Sequence, residues 1–469
     1  MRPLLIAILA ASAGAFAAPA RAEPLPPEVA QALRRAHVPA ASLAVEVLDP
    51  ASGRRLFEAG AGRALNPASV TKLVTTYAAL DLLGPGWRWS TPVWIQGRVR
   101  DGVLDGSLYL RGSGDPSLVL ERVWLLLQRV REAGVREIGG DIVLDGSAFA
   151  PVEAEPGDFD GAPSRPYNAQ PAALIFNFGA VRYAFVPDEA AGVAHVRIEP
   201  ELADTEVQRE VPLSNAPCAD WRAALGASFG STVRFGGRYP AACGVQDWPV
   251  ADPRPASYNA RLLAALWASM GGRLDGHVRE GAAPADMAPS FEFHSPPLAE
   301  VVHDINKYSN NLMAQQLFYS LDLVRHPERP ASAAGAREGL TAWLGAKLGP
   351  LPPGTVIDNG SGLSRATRLS PDLLARLLAS AWTSPVMPEL MASLPVPGVD
   401  GTLRRARGGD GRAHLKTGSL RGVAARAGYV LTDDGRRLVL VAIVDDPAAE
   451  AARPALDALV DWVQRGAKR

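Results

Sequence analysis

The sequence predicts an α/β protein of the α+β kind: a sheet-and-helix domain split by a long β-rich insertion. Three observations carry this reading. A strand–turn–strand pattern over residues 41–59 runs into a strongly apolar helix. Strands and an amphipathic helix also close the chain. Between residues 90 and 290 the texture changes to short strand-like runs broken by Gly and Asp.

Taken in order, the chain begins with a secretory pattern. Met1-Arg2 supplies positive charge, residues 4–18 are a short apolar run, and Ala20-Arg21-Ala22 fits a cleavage site before Glu23. The run is too short and alanine-rich for a good membrane span, and no later stretch approaches one, so a soluble exported protein is expected. The remaining chain is too long for one ordinary domain. Residues 41–48 and 54–59 alternate as strands around the turn Asp49-Pro50-Ala51-Ser52-Gly53. The helix that follows opens with Asn66-Pro67-Ala68-Ser69-Val70-Thr71-Lys72. Pro67 suits a first turn, where its missing N–H is not needed, and Leu73, Val74, Tyr77, Ala78, Leu80 and Leu82 read as buried.

Strand-like runs occupy residues 91–97, 102–110 and 137–144. Between them, Arg111-Gly112-Ser113-Gly114-Asp115-Pro116-Ser117-Leu118 lacks the third glycine of a dinucleotide loop. It reads instead as a helix start, with Asp115 as N-cap and Pro116 first, for a helix over 117–132. Residues 177–251 are again β-rich, 258–270 helical, and long helices return from about Phe291. The expected division is a catalytic-type domain of residues 23–89 and 291–469, an inserted domain of 90–176 and 252–290, and a module of 177–251 nested within it. Helices are expected over 298–306 and 312–324, residues 331–336 as linker or helix filler, and strands over 412–419, 425–431 and 436–444. The last helix, 453–463, shows an apolar side of Leu456, Leu459, Val460 and Val463 that suits packing on the sheet.

Composition narrows the function. Net charge is −1, with no basic stripe or aromatic ladder, which argues against a nucleic-acid partner. The seven histidines show no metal-ligand spacing, so neither metal nor cofactor is expected. Cys218 and Cys243 are the only cysteines; in an exported chain they read as one disulfide, two free buried thiols being the alternative.

Lysine usage points to chemistry. Only five of the 48 Lys and Arg residues are lysine: Lys72, Lys307, Lys347, Lys416 and Lys468. Arginine keeps its proton in a protein, whereas a desolvated lysine can lose it. Lys347 and Lys468 read as surface charges. Lys72 stands three residues after Ser69 at a helix start, so hydroxyl and amine share a face, a nucleophile beside a potential base. Alone that pattern is a common helix start, just as Ser309 and Asn311 could cap a helix and Lys416-Thr417-Gly418 could protect a strand edge.

The three patterns occur in one order: Ser69-x-x-Lys72, Ser309-x-Asn311, Lys416-Thr417-Gly418. Together they resemble the penicillin-recognising serine acyl transferases. Within these, the chain resembles the low-molecular-mass class C penicillin-binding proteins, the type-4 D-alanyl-D-alanine carboxypeptidase/endopeptidases. The long insertion, Gly112-Ser113-Gly114-Asp115-Pro116, Asn306-Lys307-x-Ser309-Asn310-Asn311, Asp358-x-Gly360-Ser361-Gly362-Leu363-Ser364-Arg365, and residues 395–403 (Pro-Val-Pro-Gly-Val-Asp-Gly-Thr-Leu) carry that resemblance. Gln315-Gln316 departs from it, where an acidic residue is expected. The resemblance implies an antiparallel sheet flanked by helices, a periplasmic location, peptidoglycan stem peptides as substrate and β-lactams as covalent inhibitors. It assigns Ser69 as nucleophile, Lys72 as base and Ser309 as proton relay. Asn311 would hold the substrate amide. Lys416, Thr417, Gly418 and Ser419 would hold its carboxylate, with N–H groups of Ser69 and Ser419 as oxyanion hole. Arg365 would bind the charged end of the stem, with Asp145 or Asp158 as its acidic partner. The rival readings are a serine β-lactamase on the same scaffold and a non-catalytic wall-binding protein.

Overall fold

The computed structural model describes residues 24–467. The leader-like segment 1–22 and Lys468 lie outside the described residues.

Five strands form one antiparallel sheet, in spatial order Ala413–Leu420, Val423–Leu431, Arg437–Asp445, Leu43–Leu48 and Arg55–Ala59. Segments from the two ends of the chain are thereby hydrogen-bonded neighbours. Along Arg437–Asp445 the side chains alternate between two cores. Val439, Val441 and Ile443 pack with Leu73 and Leu377, whereas Leu438, Leu440, Ala442 and Val444 pack with Leu33, Leu456 and Val460. Burial on both faces explains why this strand reads as a continuous apolar run. The first core belongs to helices Lys72–Leu83, Leu298–Tyr308, Asn311–Arg325 and Pro371–Trp382; the second belongs to Pro27–Arg35 and Arg453–Gln464.

The middle of the chain builds a separate core. Ser90–Arg100 and Val103–Arg111 pair as a hairpin within a seven-stranded sheet. Smaller sheets hold Ala180–Asp188, Val193–Glu199 and Gln246–Ala251, and Thr232–Phe235 with its short neighbours. Helices Leu120–Glu132 and Pro255–Ser269 cover them. Cys218 and Cys243 form a disulfide.

Local details correct the sequence reading. The helix expected from Ser117 begins at Leu120, with Val119 as an N-cap that makes no side-chain bond. Asp115 is spent on a tighter turn: its Oδ1 accepts from Ser117 N at 2.8 Å. Phe291–His294 is a strand on Ser90–Arg100, so the sheet of the insertion continues past residue 290. Its alternating Phe291 and Phe293 lie under Arg129 and Arg122. Leu82 is 57 % exposed, because the last turn of its helix emerges from the core. Of the two readings of residues 331–336, helix filler holds from Ala333 on, and Ser332 caps that helix by accepting from Gly335 N. Helices Pro27–Arg35, Pro371–Trp382 and Met387–Ser393 were not anticipated.

Candidate active site

The nucleophile turn is built before its helix. Ala68–Thr71 is a 3-10 turn preceded by Pro67, and the α-helix starts at Lys72, so Pro67 stands just outside the first turn. Ala68 sits at φ 49, a left-handed conformation uncommon outside glycine. Asn66 holds it there: Oδ1 accepts from Ala68 N at 2.9 Å while Nδ2 donates to Ser364 O at 2.7 Å. Two glycines let neighbouring chains come this close. A Cβ on Gly418 would lie 2.3 Å from Pro67 O, and one on Gly362, itself at φ +77, would lie 2.0 Å from Ala68 O.

Lys72 is fully buried at the centre. Its Nζ lies 3.1 Å from Ser69 Oγ, 2.6 Å from Asn311 Oδ1 and 2.7 Å from Ser361 O. Burial, and then the charge of Lys416, hold it well below the ordinary lysine range. Lys416 is fully buried as well, and burial pushes it down to about 7. Its Nζ donates to Ser309 Oγ at 2.9 Å and to Thr417 O at 3.0 Å. Ser309 reaches it because the residue ends its helix at φ 58, turning the hydroxyl back toward the sheet. Asn310 then caps the following helix by accepting from Met313 N, which fixes Asn311 in its first turn, opposite Lys72. Thr417 Oγ1 lies 2.8 Å from Thr402 Oγ1, and Ser419 is exposed at the strand's end. Ser69, Ser309, Thr417 and Ser419 line one groove of about 420 Å3.

Three motifs from distant parts of the sequence are thus linked through the second, Lys72 to Asn311 and Lys416 to Ser309. Arg365 is apart from them, lining a second cavity of about 410 Å3 with Phe159 and Gln315. Its guanidinium lies 4.9 Å from the Phe159 ring and donates to Arg421 O at 3.1 Å. Neither expected carboxylate is its partner. Asp145 accepts from Ser147 N and Ala283 N, beside Arg111, and Asp158 accepts from Glu155 N. Local backbone donors have claimed both.

Several contributors were missed in the sequence. The carbonyl of Ser361 carries no side-chain signature, although the glycine-rich loop around it was a signal. Lys307 ties the second motif to the 395–403 loop: Nζ donates to Leu394 O at 2.6 Å and Asp400 Oδ2 at 2.9 Å. Gln316 explains its departure from the expected acid. Its Oε1 accepts from Ala172 N at 3.0 Å and its Nε2 donates to Ala172 O at 2.8 Å. A carboxylate could do only half of that. Among the described residues no group of three or more His, Cys, Asp or Glu side chains is placed to hold a metal, and no helix is long and apolar enough to cross a membrane.

Known proteins resemble this chain in sequence and in fold. The sequence model of the D-Ala-D-Ala carboxypeptidase 3 (S13) family matches residues 25–465. The chain belongs to that family. It is a serine peptidase of the low-molecular-mass class C penicillin-binding type. A D-alanyl-D-alanine carboxypeptidase from an Actinomadura species is 31% identical over 414 residues, covering 83% of this chain and 75% of the relative. The D-alanyl-D-alanine carboxypeptidase DacB of Haemophilus influenzae is 25% identical over 396 residues, covering 81% of this chain and 80% of the relative. The fold is that of Haemophilus influenzae penicillin binding protein 4, with a TM-score of 0.74 at 21% identity over 92% of this chain and 99% of that one.

Proposed function

We propose that the chain is an exported D,D-peptidase that removes or detaches the residue after a penultimate D-alanine in peptidoglycan stem peptides. It would act through an acyl-enzyme and be blocked covalently by β-lactams. The supporting observation is the bonding of Lys72. A neutral amine has two protons and one lone pair. The carbonyl oxygens of Asn311 and Ser361 accept the two protons, so the lone pair is left facing Ser69 Oγ. An ammonium at the same place would instead spend a proton on the hydroxyl and could not take one. Keeping a lysine neutral near pH 7 costs roughly 4 kcal/mol relative to its ordinary value. Complete burial beside a second lysine is the means available here.

In this reading Ser69 attacks the D-alanine carbonyl while its proton passes to Lys72. The oxyanion is received by the N–H groups of Ser69 and Ser419, an arrangement typically worth about two to three orders of magnitude in rate. The C–N bond then breaks, and Ser309 relays the proton from Lys72 to the leaving amine. Water hydrolyses the ester, with Lys72 again as base. Asn311 orients both lysine and substrate amide, Thr417 and Ser419 receive the leaving carboxylate, and Gly418 gives room for the turn. Arg365, over Phe159, would meet the charged end of the stem. Export with loss of residues 1–22, residence in the periplasm, and inserted domains of 90–176 with 252–294 and of 177–251 complete the proposal.

Fluorescent penicillin should label wild type, and Ser69→Ala should take up none. Purified stem peptides should lose D-alanine, and cross-linked muropeptides should be split. Rapid turnover of the penicillin would make the protein a β-lactamase, and labelling that survives Ser69→Ala would refute the assignment.

A further inference from the structure

The inserted part of the chain carries a pocket that the catalytic motifs do not reach. One stripe of the helix Leu120–Glu132 faces outward, where Trp124, Gln128, Arg131 and Glu132 recur at helical spacing. The opposite stripe, Val123, Leu126, Leu127 and Val130, is buried in the core of the insertion. Arg136, just past the helix, and Met270, just past Pro255–Ser269, close the outward stripe into a pocket of about 330 Å3.

The chemistry of this pocket is that of a binding site. Trp124 is 43 % exposed. An indole left in water forgoes the burial that makes tryptophan a large contributor to cores and interfaces. The guanidinium of Arg131 lies over Trp267, 5.8 Å from the ring centroid, and its buried Nη1 has no hydrogen-bond partner. Arg136 Nη1 donates to the carbonyl oxygens of Arg131 and Val135. No carboxylate is paired with either arginine among the described residues. The pocket thus offers one flat apolar plate, with planar hydrogen-bonding groups beside it.

The pocket also stands apart from the groove. The chain enters the insertion beside Ser320, whose Oγ accepts from Trp89 Nε1 at 2.8 Å. From there the strand Ser90–Arg100 runs out for 11 residues, a length of roughly 35 Å. Arg136 is at the far end, where its N donates to Gly102 O at the hairpin turn. A stem of about five residues spans only about 17 Å at full stretch. Stem side chains are also small or charged, whereas a pyranose ring has a flat C–H face rimmed by hydroxyl and acetamide groups.

We propose that Trp124, Gln128, Arg131 and Arg136 form a saccharide site that holds the N-acetylated glycan strand of peptidoglycan while the groove works on a stem. The C–H face of a sugar ring stacks on the Trp124 indole, and its hydroxyl and acetamide oxygens accept from Gln128 and the two arginines. Attachment at two points raises the effective concentration of stems on the polymer and does nothing for free peptides. The choice of occupant rests on the peptidase reading above; the pocket does not.

Glycan strands freed of their stems by an amidase and immobilised on a sensor surface test it without offering the groove a substrate. Wild type should bind them, and Trp124→Ala should weaken binding about tenfold or more. Gln128→Ala should weaken it about threefold. Both variants should release D-alanine from soluble stem peptide at the wild-type rate, yet lose rate on intact sacculi. Trp124→Ala binding as tightly as wild type, or wild type held only by strands that keep their stems, would overturn the proposal. A wild type that binds stripped strands but cleaves no stem peptide would instead sink the peptidase reading and leave the saccharide site standing.

Discussion

Two corners of this protein bury lysines and treat the charge in opposite ways. At Lys307 the ammonium meets the Asp400 carboxylate and a backbone carbonyl, and the pair fastens the Leu298–Tyr308 helix to the loop that carries Thr402. At Lys72 and Lys416 the partners are hydroxyls, an amide oxygen and backbone carbonyls, with no carboxylate bonded to either among the described residues. A buried charge that is paired serves as a fastener. One that is not paired is driven toward neutrality and becomes available as a base.

The sharpest way to break this contrast is Lys72→Arg. It keeps the length but stays protonated and so cannot accept the serine proton; acylation by penicillin should fall about a thousandfold or more, as expected for loss of a general base. Stopped-flow labelling measures it, and a loss below tenfold would mean that Lys72 is only a positioning charge. Away from both corners, reducing the Cys218–Cys243 link by Cys218→Ser should cost about 3 kcal/mol of stability. In denaturant titrations that loss should appear with the acylation rate intact. Lys307→Met should cost about 2 kcal/mol, discounted because Asp400 is 40 % exposed on its side chain. Its acylation rate should change far less than that of Lys72→Arg, and a comparable loss would erase the distinction between the corners.

Stability against pH gives the smallest signal. Below about 7, Lys416 is protonated whether folded or unfolded, and its burial penalty is felt in full. From there up to the ordinary 10.5, the unfolded chain binds a proton that the folded one does not, so stability rises with pH. Subtracting the unfolding free energy of Lys416→Met from that of wild type should therefore give a difference that climbs by about 1 kcal/mol or more between pH 7 and 9. A flat difference would show that Lys416 keeps its ordinary affinity for protons.

Much of the site was legible in the chain because its chemistry is carried by side chains in fixed local patterns. Ser69 and Lys72 share a turn. Ser309 and Asn311 straddle a helix junction, and Lys416 stands out where arginine is otherwise used. What escaped was carried by backbone or by long-range register. The carbonyl of Ser361 has no residue signature, and the nearness of Thr402 to Thr417 depends on a loop crossing over the strand. The fold followed the same rule. Alternation over residues 41–59 and the apolar runs near the end of the chain located the sheet, whereas Asp115-Pro116 misled because an Asx turn and a helix cap begin with the same residues. The acid sought for Arg365 was misjudged for a related reason, since local amides hold Asp145 and Asp158.

The sparing use of lysine makes one direct measurement practical. Protein labelled with carbon-13 at lysine Cε should give five resonances at most from the full chain, and Lys72→Met and Lys416→Met would each remove one and so assign it. The account predicts that these two titrate well below the ordinary lysine value, with Lys416 near 7. If both keep their protons up to about pH 10, as a solvated lysine does, the neutral base does not exist and the mechanism fails.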